Sequence, residues 1–166
     1  MFWIIKNLKG REFQIKMKTI LIQEKTFEKA RNEIRKNNDK TIIFSSDDDD
    51  LNRKILEKEK INILLLNQSE KKDFMKQRNS GLNQVLAKIA KKKNIIVGIN
   101  FDEILSSSGK RKAEIFARIK QNIKLCNKNK LKMKFIFLNK KNNRDIHDLK
   151  SLGLVLGMPT SMIRDL

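Results

Sequence analysis

Thr41-Ile42-Ile43-Phe44-Ser45-Ser46-Asp47-Asp48-Asp49-Asp50 is the stretch on which the fold turns. A short run of β-branched and aromatic residues passes through two serines into four aspartates, and an apolar-periodic segment begins at Leu51. This is how a strand runs into a helix. Aspartate is favoured at N-caps and in first helical turns, where carboxylates accept from free N–H groups and oppose the helix dipole. The same place invites a second reading. In parallel α/β folds the carboxyl ends of strands gather active sites, and clustered carboxylates hold Mg²⁺. Four adjacent residues cannot all converge on one ion, however, so a metal site would need help from another strand end, such as Asp102 and Glu103. The cap is the favoured reading of Asp47–Asp50.

Working outward, the same theme recurs. Apolar runs lie at Trp3–Ile5, Met17–Ile22, Ile61–Leu66, Ile95–Phe101 and Lys134–Leu138. Most lack alternation, as expected of parallel strands covered on both faces. Helical patterns separate them. Phe27, Ala30 and Ile34 share a face, as do Leu51 and Ile55. Leu82, Val85, Leu86, Ile89 and Ala90 make a stripe with Asn79 or Ser80 as N-cap, and Ile146, Leu149, Leu152 and Leu156 form a last one near 145–156. The longest helix is expected from Lys110 to Asn127, its stripe running through Ala113, Phe116, Ile119, Ile123 and Cys126. Strands alternating with helices predict an α/β fold with parallel strands. Six strands leave an open sheet and a closed or incomplete barrel both available. No linker divides the chain, so residues 1–166 are expected to form one domain.

Composition sets the function classes. The 166 residues are 39% hydrophobic and 34% charged, as in a globular chain. No apolar run reaches the length of a membrane span. Met1–Ile5 is too short for a signal-peptide core, and a cytoplasmic protein with no membrane partner is expected. One cysteine excludes an internal disulfide framework. Lys and Arg total 38 against 19 Asp plus Glu, for a formal net charge of +19. Lysine is part of a general Lys, Asn and Ile richness, but the excess is uneven: residues 86–142 hold 16 Lys or Arg against 3 acids. Such a field attracts polyanions.

The candidate chemistry is thin. His147 is the sole histidine and falls at a helix start beside carboxylates, which suits a surface role and leaves the chain short of ligands for a metallophosphoesterase. Cys126 lies on an apolar stripe and reads as packing. Ser106-Ser107-Ser108-Gly109-Lys110 lacks the first glycine of a phosphate loop; it reads as a connection delivering Lys110, Arg111 and Lys112 to a helix N-terminus, where bound phosphate would offset their cost to the dipole. Arg118, Lys120, Lys124 and Lys128 continue the cationic helix, with Lys91-Lys92-Lys93 nearby. Aromatics are few and most sit in apolar runs, so phosphate contacts to a folded RNA fit better than base stacking.

Four segments resemble one family in order and spacing. They are Asn79-Ser80-Gly81-Leu82-Asn83-Gln84-Val85-Leu86-Ala87-Lys88-Ile89-Ala90, the strand 94–101 ending in Asn100-Phe101, Asn122-Ile123-Lys124-Leu125, and 143–158 with its Leu152-Gly153-Leu154-Val155-Leu156-Gly157-Met158 close. Together they are similar to the archaeal ribonuclease P protein component 3 family, the thirty-kilodalton subunit of eukaryotes. The resemblance implies a TIM-like (β/α) barrel, here shortened or incomplete, without a metal centre or cofactor of its own. It implies a non-catalytic subunit of a ribonucleoprotein whose RNA removes the 5′ leader of precursor tRNA with Mg²⁺. The expected partners are the ribonuclease P RNA and protein component 2, with precursor tRNA met indirectly. By this reading Lys110, Arg111, Lys112, Arg118, Lys120, Lys124, Lys128 and Arg144 face RNA, and Asp148 anchors a helix start. The rivals are a general basic RNA-binding or ribosome-associated protein, and a stand-alone nuclease using Asp47–Asp50 and Asp102.

Overall fold

The apolar runs become strands because they are buried from two sides. The computed structural model describes residues 18–166, so the expected run at Trp3–Ile5 lies outside the described residues. The strands β1 (Thr19–Ile22), β2 (Thr41–Phe44), β3 (Ile63–Leu66), β4 (Ile96–Asn100) and β5 (Met133–Ile136) form one sheet, all parallel, in the spatial order β1-β2-β3-β4-β5. Sequential order with right-handed crossovers carries every connecting helix to the same face.

The register explains why the runs do not alternate. Phe44 pairs with Leu64, Leu64 with Val97 and Val97 with Met133, and this row packs under the helices with Ile22, Ile55, Leu86, Ile115 and Ile123. The intervening row, Leu21, Ile43, Ile63, Leu65, Ile96 and Ile136, forms a second apolar cluster on the opposite face. Gly98 sits in that second row because space is short there. A Cβ at Gly98 would come within 3.1 Å of Ile63, Leu65 and Ile136 side-chain atoms.

Among the described residues seven α-helices accompany the sheet: α1 (Phe27–Lys36), α2 (Asp49–Lys58), α3 (Gln84–Lys92), α4 (Phe101–Ser106), α5 (Gly109–Lys128), α6 (Ile146–Leu156) and α7 (Thr160–Arg164). They pack in chain order, α1 on α2, α2 on α3, α3 on α5 and α5 on α6. Helices outside and an apolar row inside are the layout of an α/β barrel wall. Five strands with β1 and β5 at the two ends of the order make an arc of a TIM-like barrel, open among the described residues. Its helix-side core is tight. Ile55, Leu56 and Ile115 are fully buried, and truncating such a side chain to alanine costs about 2–5 kcal/mol.

Several expectations shift. The cap of α3 is Asn83, which accepts from the Leu86 N–H, rather than Asn79 or Ser80. Gly81, with φ +71°, breaks any helix begun that early. The stripe of α5 is rotated: Ile115, Arg118, Ile119, Asn122, Ile123 and Cys126 are buried, whereas Ala113 is exposed. The close of α6 is a Schellman stop. Gly157 adopts φ 92°, and the Met158 N–H donates to the Gly153 carbonyl at 2.9 Å.

Candidate nucleic-acid interface

The carboxyl ends of the strands carry the acidic residues, and their hydrogen bonds settle what those residues do. Asp48 is the N-cap of α2; its side chain accepts from the N–H groups of Asp50 (2.9 Å) and Leu51 (3.3 Å). The capping reading of the tetra-aspartate therefore holds at Asp48. Asp49 pairs with Lys71 and accepts from Asn79 Nδ2 at 3.2 Å. Asp47 accepts from Asn67 Nδ2 at 3.3 Å, and Asn67 in turn accepts from Asn100 Nδ2 at 3.0 Å. Asp102, after β4, takes the N–H groups of Leu138 (2.8 Å) and Asn139 (3.0 Å) and Asn142 Nδ2 (2.8 Å). Glu103 takes the N–H groups of Gln68 (2.7 Å) and Ser69 (3.2 Å) and the Ser69 hydroxyl (2.6 Å). These carboxylates tie loops to strand ends. Among the described residues no three His, Cys, Asp or Glu side chains gather as a metal ligand set.

The cations fall into two groups. Lys110, Lys120, Lys124 and Lys128 are exposed on α5 and Lys112 is half-buried; among the described residues none of the five side chains makes an ion pair or hydrogen bond. Lys120, Lys124 and Lys128 recur every fourth residue and form one ridge, with neighbours about 6 Å apart. The start of α5 has no acidic residue in its first turn, and its N-cap Ser108 makes no side-chain capping bond. Lys110, Arg111 and Lys112 thus crowd the positive pole of a helix, an arrangement suited to anions. Arg111 is engaged with Glu70 and with the Ser69 carbonyl at 3.2 Å.

Arg118 is placed otherwise than expected. It is 3% exposed. Its Nε donates to Asp73 at 3.0 Å and its Nη1 to the Gln68 carbonyl at 3.0 Å. Arg118 is a buried clamp on the loop between β3 and α3, so charge reversal there would attack the fold and not an RNA surface. Burial pushes the Asp73 carboxyl upward, but the Arg118 hydrogen bond, the Asn79 N–H and the charges of Arg118 and Arg78 outweigh it and hold it below its usual value. Arg144 is exposed in the connection before α6 and donates to the adjacent Asn143 carbonyl at 3.3 Å. Asp145, not Asp148, caps α6, accepting from the His147 N–H at 2.7 Å. His147 is exposed. Lys91 and Lys93 reach the Lys130 carbonyl and the Glu57 and Glu59 carbonyls, where they seal helix ends.

Sequence reasoning missed the loop 67–83 as a structure in its own right. It lies along α5, held by Arg111 on Ser69, Arg118 on Gln68 and Gln121 on the Arg78 carbonyl at 3.4 Å. Its tip presents Phe74 and Met75, 67% and 99% exposed, amid Lys72, Lys76 and Arg78. The signal was an apolar pair alone within a basic stretch, unlike the other phenylalanines' apolar runs.

No protein-family model matches the chain. Over 51 residues, 31% of this chain, it is 41% identical to ribonuclease P protein component 3 of Methanosarcina acetivorans. The resemblance read from the sequence is borne out. The chain spans 21% of that relative's length. A chain of the cryo-EM structure of archaeal ribonuclease P with mature tRNA has the same fold, with a TM-score of 0.70 at 21% identity over 87% of this chain and 62% of that one. The arc of the barrel is therefore a known architecture. Among the described residues no helix is long and apolar enough to cross a membrane.

Proposed function

We propose that this chain is a protein subunit of ribonuclease P, supporting an RNA that removes the 5′ leader of precursor tRNA. The observation that carries this reading is the convergence of the local sequence match and the fold on one ribonucleoprotein. The surface supports it. Lys120, Lys124 and Lys128 offer a ridge for phosphates, the α5 N-terminus adds Lys110 and Lys112, and Arg144 extends the cations toward α6. The acidic strand ends are committed to loop anchoring, which favours a scaffold over a nuclease. In this reading the RNA performs the chemistry with Mg²⁺, protein component 2 is the companion subunit, and precursor tRNA is met through the RNA. Cations on the ridge neutralise phosphates that would otherwise repel as the RNA compacts.

The test is precursor tRNA cleavage at moderate Mg²⁺ by the ribonuclease P RNA with component 2 protein, with and without this chain. Cleavage that depends on the chain is expected. The folded triple variant Lys120→Gln, Lys124→Gln, Lys128→Gln should need more Mg²⁺, and its log–log salt slope for RNA binding should fall by about 2–3. Cleavage by the chain alone, or no effect of adding it, would refute the proposal. Equal affinity for unrelated structured RNAs without any effect on cleavage would instead mark a general basic RNA binder.

A further inference from the structure

The tip of the loop 67–83 is built to be presented. Phe74 and Gln77 exchange backbone hydrogen bonds, Phe74 N–H to Gln77 O at 2.8 Å and Gln77 N–H to Phe74 O at 3.3 Å. One residue before the tip, Asp73 is clamped by Arg118 and by the Asn79 N–H at 2.9 Å. Farther in, the buried Ser80 carbonyl accepts from both Gln68 Nε2 and Asn122 Nδ2 at 3.1 Å. A loop fixed this firmly has already lost much of the conformational entropy that binding would otherwise cost. Folding nevertheless leaves a phenyl ring and a thioether in water, with no apolar neighbour shielding Met75 at 99% exposure.

Charge and size choose the occupant. The loop's acids are spoken for, Glu70 by Arg111 and Asp73 by Arg118 and, at 3.9 Å, by Arg78, so the exposed Lys72 and Lys76 set the sign around the tip and favour a polyanion. The apolar area ends with two side chains, well short of the several hundred Å² of a protein-docking patch. One ring face is enough for a nucleobase, which stacks on aromatic side chains without regard to its identity. Through Gln121, Arg118 and Arg111 the loop adjoins the side of α5 next to the lysine ridge, so one RNA can span both.

We propose that Phe74, backed by Met75, stacks on an unpaired base of the RNA while the α5 lysines hold its phosphates. This deepens the ribonucleoprotein reading and rests on it. The test uses the full chain with component 2 protein and two RNAs of equal phosphate number: a hairpin carrying 2-aminopurine in its loop, and a blunt duplex. For Phe74→Ala, at a ring that is 67% exposed, hairpin affinity should fall roughly ten- to a hundred-fold at every salt concentration. Its salt slope should stay unchanged, its 2-aminopurine response should be lost and duplex binding should be unaffected; Phe74→Trp should restore both affinity and response. The ridge triple variant should do the reverse and flatten the slope. Unchanged hairpin binding by Phe74→Ala, while the wild type binds with a steep salt slope, overturns the base contact and leaves the tip to a protein partner. Absence of binding to either RNA by the wild type overturns the RNA-subunit reading itself.

Discussion

Arg118 offers the sharpest test of how this surface is organised. Replacing it with methionine keeps most of the stem's volume and removes the guanidinium. Two bonds go. The carbonyl of Gln68, a residue 2% exposed, loses its better donor and keeps only the Lys71 N–H at 3.4 Å, and a buried acceptor left this poorly satisfied costs about 1–2 kcal/mol. The Asp73 side chain is 35% exposed, so its ion pair contributes at most about 1 kcal/mol. Arg118→Met should therefore destabilise by about 1–3 kcal/mol, lowering the midpoint of thermal unfolding by roughly 3–9 °C for a chain of this length. Acid reports the smaller part separately. Asp73 has a folded pKa below its unfolded value of 3.8, so its contribution is present above that value and is lost as pH falls through the folded one. The gap between wild type and Arg118→Met should narrow slightly as pH falls below 3.8. Circular dichroism melts at pH 7 and pH 2.5 measure both effects. A midpoint within 2 °C of wild type at pH 7 would show that the clamp does not hold the loop, and the rigid presentation of Phe74 would fall with it.

Other outcomes follow from single contacts. Asp48→Ala should cost about 1 kcal/mol through loss of the α2 cap, whereas Asp50→Ala should stay within about 0.5 kcal/mol; neither should change cleavage in the reconstituted assay beyond what stability explains. Gly153→Val should cost about 2 kcal/mol, because a Cβ there comes within 2.6 Å of Ile163 Cδ1; loss of amide protection confined to α7 and the end of α6 would locate the damage. Burial pushes the Cys126 thiol up to about 12 from 9.0, so alkylation at pH 8 should be about a thousand-fold slower in the folded chain than in denaturant. Comparable rates would mean that α5 opens readily.

Strands were legible because burial on two sides leaves unbroken apolar runs: Thr41–Phe44 matches β2 residue for residue, and among the described residues the other expected runs shift by a residue or two. The helix stop at Gly157-Met158 was legible as motif, and its Schellman geometry shows why those residues stand there. What periodicity could not reveal depends on distant chain. Arg118 looks like a solvent-facing cation until the loop 67–83 folds across it, and the partners Asp73 and Gln68 lie 45 and 50 residues away. The helices α4 and α7 are too short to show a period, and each exists because its neighbours hold it. Asn79 looked like a cap because its side chain can serve as one; the structure spends it on Asp49 and on the Gly81 N–H.

Spatial order that equals chain order also bears on how the protein is made. Emerging from the amino end, the sheet can grow by one strand at a time onto an edge already formed, and no strand must wait for a partner synthesised much later. The hazard is in the middle. A chain halted after α3 would leave bare the far edge of β3, Ile63-Leu64-Leu65-Leu66, which is wholly apolar. Exposed edges of that kind recruit other chains. Completion of β4 covers that edge, so the interval between the two strands is when the nascent chain most needs protection from its neighbours.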